Sequence, residues 1–266
     1  MSEGNLFDLT GRVALITGGG GLLAKQHAIA LGTYGATIYL ADFRSDSLNT
    51  TLRELKECSF SSESITFDVT SEQEWGKALT HILDQEGRID VLINNAGHTN
   101  RTIAGNQVEP IENYPLSTWN EILDVNLSGT FLGCKVVGSQ MLQAGQGSII
   151  NIASLYGVVS PNHRIYEGSP ISQSIAYSVS KGGVIALTRF LGTLWAERGV
   201  RVNCLTPGGV FDDHTDPFLS RFEKLNPIGK MLDKRELRGG VVFLASDASS
   251  HVVGHNLIID GGWSVW

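Results

Sequence analysis

Residues 13–24 read VALITGGGGLLA, an apolar run rich in β-branched side chains that ends in four consecutive glycines. The run predicts a buried β-strand, and residues 24–34 after it have helical spacing. Glycine permits a tight turn and lets a pyrophosphate approach the backbone, while the helix N-terminus offers unpaired N–H groups. The stretch therefore predicts the first turn of a dinucleotide-binding fold, although an ordinary strand-to-helix turn would also explain the glycines.

Outward from this turn, short apolar runs alternate with longer stretches of helical period. Strands separated by helices pair in parallel and place helices on both faces of the sheet. We therefore predict an α/β fold, a doubly wound parallel sheet of Rossmann type, as a single domain over residues 1–266. The predicted strands are 13–17, 36–41, 64–67, 91–94, 147–152, 201–205 and 256–260, and the predicted helices are 24–34, 45–56, 71–85, 117–142 and 176–197.

Three stretches interrupt this alternation, at 98–116, 156–173 and 208–231, and each follows the end of a predicted strand. Ligands of open parallel sheets bind beyond the carboxyl ends of the strands. We therefore expect these three loops to surround the substrate pocket.

The composition is that of a packed globular protein. Of 266 residues, 42% are hydrophobic and 18% are charged, and the net charge of -7 includes no basic stripe that could neutralise a phosphate backbone. The apolar runs are far shorter than the roughly 20 residues that span a bilayer, and polar residues interrupt the N-terminus where a signal peptide would be apolar. We expect a cytoplasmic protein that binds a small-molecule substrate, with no nucleic-acid or membrane partner.

The three cysteines, Cys58, Cys134 and Cys204, lack the paired spacing or the histidine neighbours of a zinc site. Cys134 and Cys204 lie in apolar stretches, where cysteine behaves as a small core residue. We expect reduced structural thiols and no metal site, with a nucleophilic cysteine as the minor alternative.

An acidic residue ends the second predicted strand. Asp42 lies about 20 residues beyond the glycine turn, where a dinucleotide-binding fold places the carboxylate that accepts hydrogen bonds from ribose hydroxyls. Its charge would repel a 2′-phosphate, so we expect NAD rather than NADP. Arg44 could weaken this preference for NAD by pairing with the 2′-phosphate of NADP. The alternative interpretation of Asp42 is an aspartate that only forms a turn.

Polar residues also end the third and fourth predicted strands and should face the same crevice. Asp68 follows the third strand, and Asn94-Asn95-Ala96-Gly97 ends the fourth. Such side chains can hold the adenine ring or the loop backbone. For Asn95, a local Asx turn explains the residue equally well.

Tyr177 and Lys181 lie four residues apart near the start of a predicted helix, so they share one face. A phenol has a pKa near 10, and moving it to about 7 needs roughly 4 kcal/mol. An ammonium group about 4 Å away supplies about that much at an effective dielectric constant near 20. Tyr177 is therefore a candidate general base for oxidation and general acid for reduction, although the same spacing also occurs by chance on solvated helix faces.

Two further polar residues are candidates for the same site. Ser154 follows the fifth predicted strand, where its hydroxyl could hold the substrate oxygen beside Tyr177, or cap a helix or turn. Asn126 lies inside a predicted helix in an apolar neighbourhood, where asparagine is mildly unfavourable. It could belong to a proton path from solvent, with a helix-surface asparagine as the alternative.

Together these motifs resemble the short-chain dehydrogenase/reductase family over essentially the whole chain. They occur in the family's order: Thr17-Gly18, Asp42, Asp68-Val69, Asn94-Asn95-Ala96-Gly97, Val125-Asn126, Ser154, Tyr177-Ser178-Val179-Ser180-Lys181, Arg201-Val202-Asn203, Pro207-Gly208 and Asp260-Gly261-Gly262. The resemblance implies that Tyr177 is the catalytic acid/base and that Lys181 lowers its pKa and binds ribose. It also implies that Ser154 orients the carbonyl and that Asn126 belongs to the proton relay.

The resemblance further implies a cofactor site that takes NAD and, less readily, NADP. Its expected residues are Gly18, Gly21, Leu22, Leu23, Asp42, Phe43, Asp68, Val69, Asn95, Ala96, Gly97, Tyr177, Lys181, Pro207, Gly208 and Val210. The chain departs from the family pattern at Leu22 and Ala24, which stand where the family usually has glycines. It also lacks the threonine that often follows Pro207-Gly208, with Asp212 nearby. These departures leave the pyrophosphate contacts and the closure of that loop open.

The substrate side is expected to be polar. Ser154 and Tyr177 would meet the reacting group, and the segment between them is longer than is usual in the family. Several hydrogen-bonding residues in the loops could bind a sugar, a polyol or a sugar acid, namely His98, Asn100, Arg101, Asn162, His163 and Arg164. Solvated loop residues would explain them equally well. Within the family, the loop and the glycine turn are most similar to oxidoreductases of bacterial carbohydrate metabolism.

Other functions remain open at this stage. A reductase of 3-oxoacyl chains or steroids would suit an apolar pocket, and often NADPH. A non-catalytic NAD-binding sensor or scaffold would not need the intact set Ser154, Tyr177 and Lys181. The family's extended sugar epimerases need a separate substrate domain, for which 266 residues leave little room.

The resemblance also implies a homotetramer, or a homodimer. Its helices 117–142 and 176–197 would pack against their symmetry mates. The apolar end, Trp263-Ser264-Val265-Trp266, could add to a subunit contact, cover a neighbouring pocket or pack on its own core. We expect loss of Trp263 and Trp266 to weaken assembly.

Overall fold

The computed structural model describes residues 4–99, 111–169 and 171–266. Its strands are β1 Val13–Thr17, β2 Thr37–Asp42, β3 Ser62–Thr66, β4 Val91–Asn94, β5 Gly147–Ile152, β6 Val200–Pro207 and β7 Asn256–Ile259. Its longer helices are α1 Ala24–Thr33, α2 Ser45–Glu57, α3 Glu72–Glu86, α4 Leu116–Leu123, α5 Gly129–Ala144, α6 Ile175–Trp195, α7 Phe218–Leu225 and α8 Arg238–Ala245. Within the described residues, the seven strands form one parallel sheet in the order β3-β2-β1-β4-β5-β6-β7.

Helices cover both faces of this sheet. Ala14 and Ile16 of β1 belong to an apolar core shared with α1, α2 and α8, whereas Val13 and Leu15 belong to one shared with α3, α5 and α6. The side chains divide in this way because successive residues of a strand point to opposite faces. The predicted doubly wound sheet is confirmed. Strand order reverses between β1 and β4, and a ligand crevice opens at such a reversal.

The helix predicted at 117–142 is interrupted. α4 ends at Leu123, a π-helical turn spans Asp124–Ser128, and α5 begins at Gly129. A single π-helical turn of five residues inside a longer helical stretch is too short for hydrophobic periodicity to reveal it. Such turns occur frequently at functional sites, and this one contains Asn126.

Two short helices differ from the sequence-based prediction. α7 lies inside the stretch 208–231 that we predict as a loop, and α8 lies outside every predicted helix. Helices of eight residues show little period, and Gly239 and Gly240 are poor helix formers. A Cβ at Gly240 would come within 2.8 Å of the Cδ1 of Ile259, so the end of that side chain would have to move to accommodate a larger residue.

The cysteines are all free thiols. Burial raises the pKa of Cys134 to about 12 and that of Cys204 to about 11, so both thiols stay protonated at neutral pH. Cys58 is exposed. In the part of the chain that the structure describes, no group of three His, Cys, Asp or Glu side chains could hold a metal ion. Nor does any helix there combine the length and apolar character that crossing a bilayer requires.

Candidate active site

A cavity of about 650 Å³ lies at the carboxyl ends of the central strands, within the range of roughly 300–1,000 Å³ found for small-molecule sites. All sixteen residues that we predict to bind the cofactor line it. Its lining also includes Ser154 and His98. The parallel sheet brings these residues together because the loops that leave neighbouring strands emerge at one edge.

The glycine turn presents bare backbone to this cavity. Gly18 has a φ of +66°, and a Cβ there would come within 2.9 Å of the Cα of Ala96, so only glycine fits. α1 then begins at Ala24 without a side-chain cap, which leaves its first N–H groups available to an anion. Ala24 is fully buried, while Leu22 is 37% exposed beside the cavity. The residues present fit a dinucleotide despite the two replaced glycines.

Asp42 is buried at the end of β2, where its side chain is hydrogen-bonded to the glycine turn. Its Oδ2 accepts a hydrogen bond from the backbone N–H of Gly20 at 3.0 Å. Its Oδ1 accepts one from the backbone N–H of Arg44 at 3.0 Å, which is an Asx turn. The two interpretations of Asp42 are therefore compatible, because a carboxylate held in a turn still faces the cavity beside Phe43.

Two further loops, which follow β3 and β4, line the cavity. Asp68 accepts hydrogen bonds from the backbone N–H and the hydroxyl of Thr70, both at 2.9 Å. The Nδ2 of Asn95 donates to the carbonyl oxygen of Thr17 at 2.9 Å, which fixes the end of β4 against the end of β1. Asn95 therefore holds the loop backbone and lines the cavity at the same time.

Lys181 brings its ammonium group into the interior beside Tyr177. The Nζ donates to the carbonyl oxygen of Ile152 at 2.7 Å and lies 5.8 Å from the centroid of the Tyr177 ring. Burial lowers the pKa of Lys181 to about 8, because the charged form loses its hydration. The predicted face shared by Tyr177 and Lys181 thus lies against the cavity.

Asn126 lies in the π-helical turn and joins two parts of the site. Its Oδ1 accepts from the backbone N–H of His98 at 2.6 Å, and its Nδ2 donates to the carbonyl oxygen of His98 at 3.0 Å. The same Nδ2 donates to the Oγ of Ser180 at 3.1 Å. Asn126 is fully buried and does not line the cavity, and it holds the loop after β4 against α6.

Ser154 follows β5 in extended backbone, with φ −158° and ψ 154°. Its Oγ accepts a hydrogen bond from the backbone N–H of Tyr156 at 3.3 Å and caps the short helix Leu155–Gly157. The capping interpretation is correct, and Ser154 also lines the cavity with Tyr177 and Lys181.

The long segment between Ser154 and Tyr177 does not direct its predicted substrate residues into the cavity. Asn162, His163 and Arg164 are exposed and do not line the cavity, and Asn162 instead caps the short helix His163–Tyr166. Charged and polar groups remain in water there because desolvation is costly. His98 does line the cavity, whereas Asn100 and Arg101 lie outside the described residues.

Six further residues that line the cavity lie in the stretches 156–173 and 208–231, although the sequence did not single them out, namely Tyr156, Tyr166, Gln173, Phe218, Phe222 and Met231. The Tyr166 and Phe218 rings pack with centroids 5.1 Å apart. Phe222 stacks on Trp263 at 4.3 Å, so Trp263 packs within its own chain. The spacing of Phe218 and Phe222, one helical turn apart, is a signal for this wall, but it requires that α7 be recognised first.

A family model and several known proteins are similar to this chain over nearly its whole length. A family model described as enoyl-(acyl carrier protein) reductase matches residues 22–264. The chain is 33% identical to a D-threitol dehydrogenase of Mycolicibacterium smegmatis over 97% of this chain and 95% of that one. It is 30% identical to a cyclopentanol dehydrogenase of a Comamonas species, over 95% and 97% of the two chains.

A solved structure is similar over nearly the whole chain. It is that of a gluconate 5-dehydrogenase from Burkholderia cenocepacia in complex with NADP and tartrate. The two chains superpose with a TM-score of 0.86 at 30% identity, and the match covers 98% of each. At this identity and coverage, the similarity extends from the fold to the protein family.

Proposed function

The chain belongs to the short-chain dehydrogenase/reductase family and is an oxidoreductase of CH–OH groups, and we propose that it acts on a sugar, polyol or sugar acid with NAD as cofactor. The observation that carries this proposal is the placement of Ser154, Tyr177 and the buried Lys181 around one cavity with the glycine turn. The names of the threitol and gluconate dehydrogenases support a polyhydroxylated substrate.

The proposed chemistry is a hydride transfer coupled to a proton transfer. Bound NAD supplies the nicotinamide ring that accepts the hydride. Tyr177 takes the proton of the alcohol, because the neighbouring ammonium of Lys181 stabilises the tyrosinate. Ser154 donates a hydrogen bond to the oxygen as it becomes a carbonyl. In the reverse direction, Tyr177 returns the proton.

Asn126 supports this chemistry from behind the cavity. Its amide oxygen and nitrogen are both engaged by His98, and the nitrogen also reaches Ser180. We propose that Asn126 maintains the proton path beside Lys181 by fixing the loop after β4 on α6.

The preference for NAD rests on the charge of Asp42. Its carboxylate lines the cavity at the end of β2, where a 2′-phosphate would meet a negative group. The guanidinium of Arg44 lies near this carboxylate, with Nε 3.5 Å from Oδ1, and partly offsets its charge. We propose a preference for NAD that is moderate rather than strict.

A second substrate class is favoured by one observation. Phe218, Phe222 and Met231 form an apolar wall of the cavity, and they are all buried. Such a wall would also suit an apolar cyclic alcohol or ketone, including a steroid. The cyclopentanol dehydrogenase among the relatives is consistent with this alternative.

The test is the formation of NADH or NADPH, followed at 340 nm, across D-threitol, other polyols, gluconate and cyclopentanol, each with NAD and with NADP. We expect turnover of the polyhydroxylated compounds, faster with NAD. Tyr177→Phe keeps the ring and removes the transferable proton, so we expect a loss of at least about 100-fold in kcat. Activity of that variant within a few-fold of the wild type would refute the proposed role of Tyr177. Turnover of cyclopentanol alone would favour the apolar class.

We also propose that the protein assembles as a homotetramer, with a homodimer as the alternative. Large apolar side chains are exposed on α5 and α6, among them Phe131, Phe190 and Leu194 with 47%, 66% and 56% of their surface accessible. Exposed apolar side chains of this size support a subunit contact.

A further inference from the structure

Two tyrosine hydroxyls meet at the substrate side of the cavity. Tyr156 lies in the short helix Leu155–Gly157, which begins directly after Ser154. Tyr166 is the last residue of the short helix His163–Tyr166. Their hydroxyl oxygens are 2.5 Å apart, and both residues line the cavity. The ring of Tyr166 also packs against the ring of Phe218, with the two centroids 5.1 Å apart.

The two hydroxyl groups of this pair lie among apolar side chains. Tyr166 and Phe218 belong to one hydrophobic cluster with Phe222 and Met231, against which Tyr156 packs. In mostly apolar pockets, a few placed polar groups decide which ligand binds and how it is oriented. A tyrosine hydroxyl both donates and accepts, so a hydroxyl pair can offer a donor and an acceptor to a third hydroxyl.

We propose that Tyr156 and Tyr166 together bind a second hydroxyl group of the substrate, while Ser154 and Tyr177 bind the one that is oxidised. The backbone N–H of Tyr156 donates to the Oγ of Ser154 at 3.3 Å, which couples the position of the pair to that of the catalytic serine. The inference rests on the proposed function and narrows its substrate to diols and polyols.

The test compares two alcohols that differ by one hydroxyl group, butan-2-ol and butane-2,3-diol. We expect wild-type kcat/KM to be about tenfold higher for the diol, as one well-formed hydrogen bond allows. Tyr156→Phe and Tyr166→Phe keep the rings in place. Each variant should lower kcat/KM for the diol about tenfold, mainly through KM, and leave butan-2-ol within about twofold of wild type.

A matched control is Tyr39→Phe, which removes a hydroxyl 3.0 Å from Glu86, outside the cavity lining. It should leave both substrates unchanged. Equal losses on both alcohols in the Tyr156 and Tyr166 variants would show that the pair only supports the loop, and would overturn the inference. Wild-type turnover of both alcohols without preference for the diol would also overturn it.

If the proposed function itself is wrong, the wild type gives a result that differs from either outcome of the tyrosine test. In that case the wild type binds NADH, detected by its fluorescence, yet oxidises neither alcohol nor any member of the polyol panel. That outcome overturns the proposed function and this inference with it.

Discussion

Lys181 shows how one residue combines function with a cost in stability. Its side chain is buried, and its Nζ donates to the carbonyl oxygen of Ile152. Burial lowers its pKa from 10.5 to about 8. The charged form is therefore less favourable in the folded protein than in the unfolded chain, which is the opposite of a stabilising ion pair. The same charge is the group that would stabilise the tyrosinate of Tyr177.

The pH dependence of stability follows from this shift. Between about pH 8 and pH 10.5 the unfolded Lys181 holds a proton that the folded one has released, so its contribution to the free energy of unfolding rises with pH. Below about pH 8, the cost of the buried charge is fully present. We expect Lys181→Met to be more stable than wild type at pH 7 and to lose part of this advantage at pH 9.5. Urea denaturation of both proteins at the two pH values measures the difference.

The same variant separates stability from activity. Lys181→Met should lower kcat at least about 100-fold, because no ammonium remains to favour the tyrosinate. Two results would contradict the stability cost that we assign to the buried ammonium of Lys181. One is a Lys181→Met protein that is less stable than wild type at pH 7, and the other is a gain in its free energy of unfolding that is the same at both pH values.

At the scale of elements, α7 closes one side of the substrate cavity and has eight residues. Helices of this length are marginal alone, so tertiary packing stabilises it. The packing comes from two sides: the Phe218 ring lies against Tyr166, and the Phe222 ring stacks on Trp263 near the C-terminus. The C-terminal segment therefore supports one wall of the cavity of its own chain.

We expect Trp263→Ala to loosen α7 without unfolding the sheet. Removal of the stacked ring should raise KM for the alcohol several-fold and speed hydrogen exchange of the α7 amides, while exchange in the central strands stays slow. Trp263→Phe is the matched control, because it keeps a ring against Phe222 and should retain most of the affinity. Unchanged KM and exchange in Trp263→Ala would exclude a supporting role for the C-terminal segment.

At the scale of the whole molecule, the proposed assembly depends on the outer face of α6. Phe190 and Leu194 lie one helical turn apart and are both more than half exposed. An aspartate placed there would have to be buried without a partner in any subunit contact, at a cost of several kcal/mol per interface. Symmetry repeats the cost in each copy.

We therefore expect Phe190→Asp to dissociate the assembly into smaller species, observed by light scattering during size-exclusion chromatography. Leu6→Asp is the control, since Leu6 is 61% exposed and its carbonyl oxygen accepts a hydrogen bond from the backbone N–H of Ala248, which belongs to neither α5 nor α6. The control should keep the wild-type mass. A Phe190→Asp protein of unchanged mass would show that this face of α6 is not in the contact.

The sequence by itself determined the sheet, most helices and the order of the motifs. Apolar runs and glycine turns are local signals, and parallel strands bring their carboxyl ends to one edge wherever the loops go. For this reason the predicted cofactor residues that lie at or just after strand ends all line one cavity, which Tyr177 and Lys181 also line from α6.

Only the tertiary structure decided the substrate side. Which loop residues face inward depends on packing between segments far apart in the chain, and local polarity does not encode it. Asn162, His163 and Arg164 therefore remain at the surface, while Tyr166 turns inward to meet Tyr156. The π-helical turn at Asn126 was likewise not predicted, because a single turn of five residues is too short to be recognised from hydrophobic periodicity.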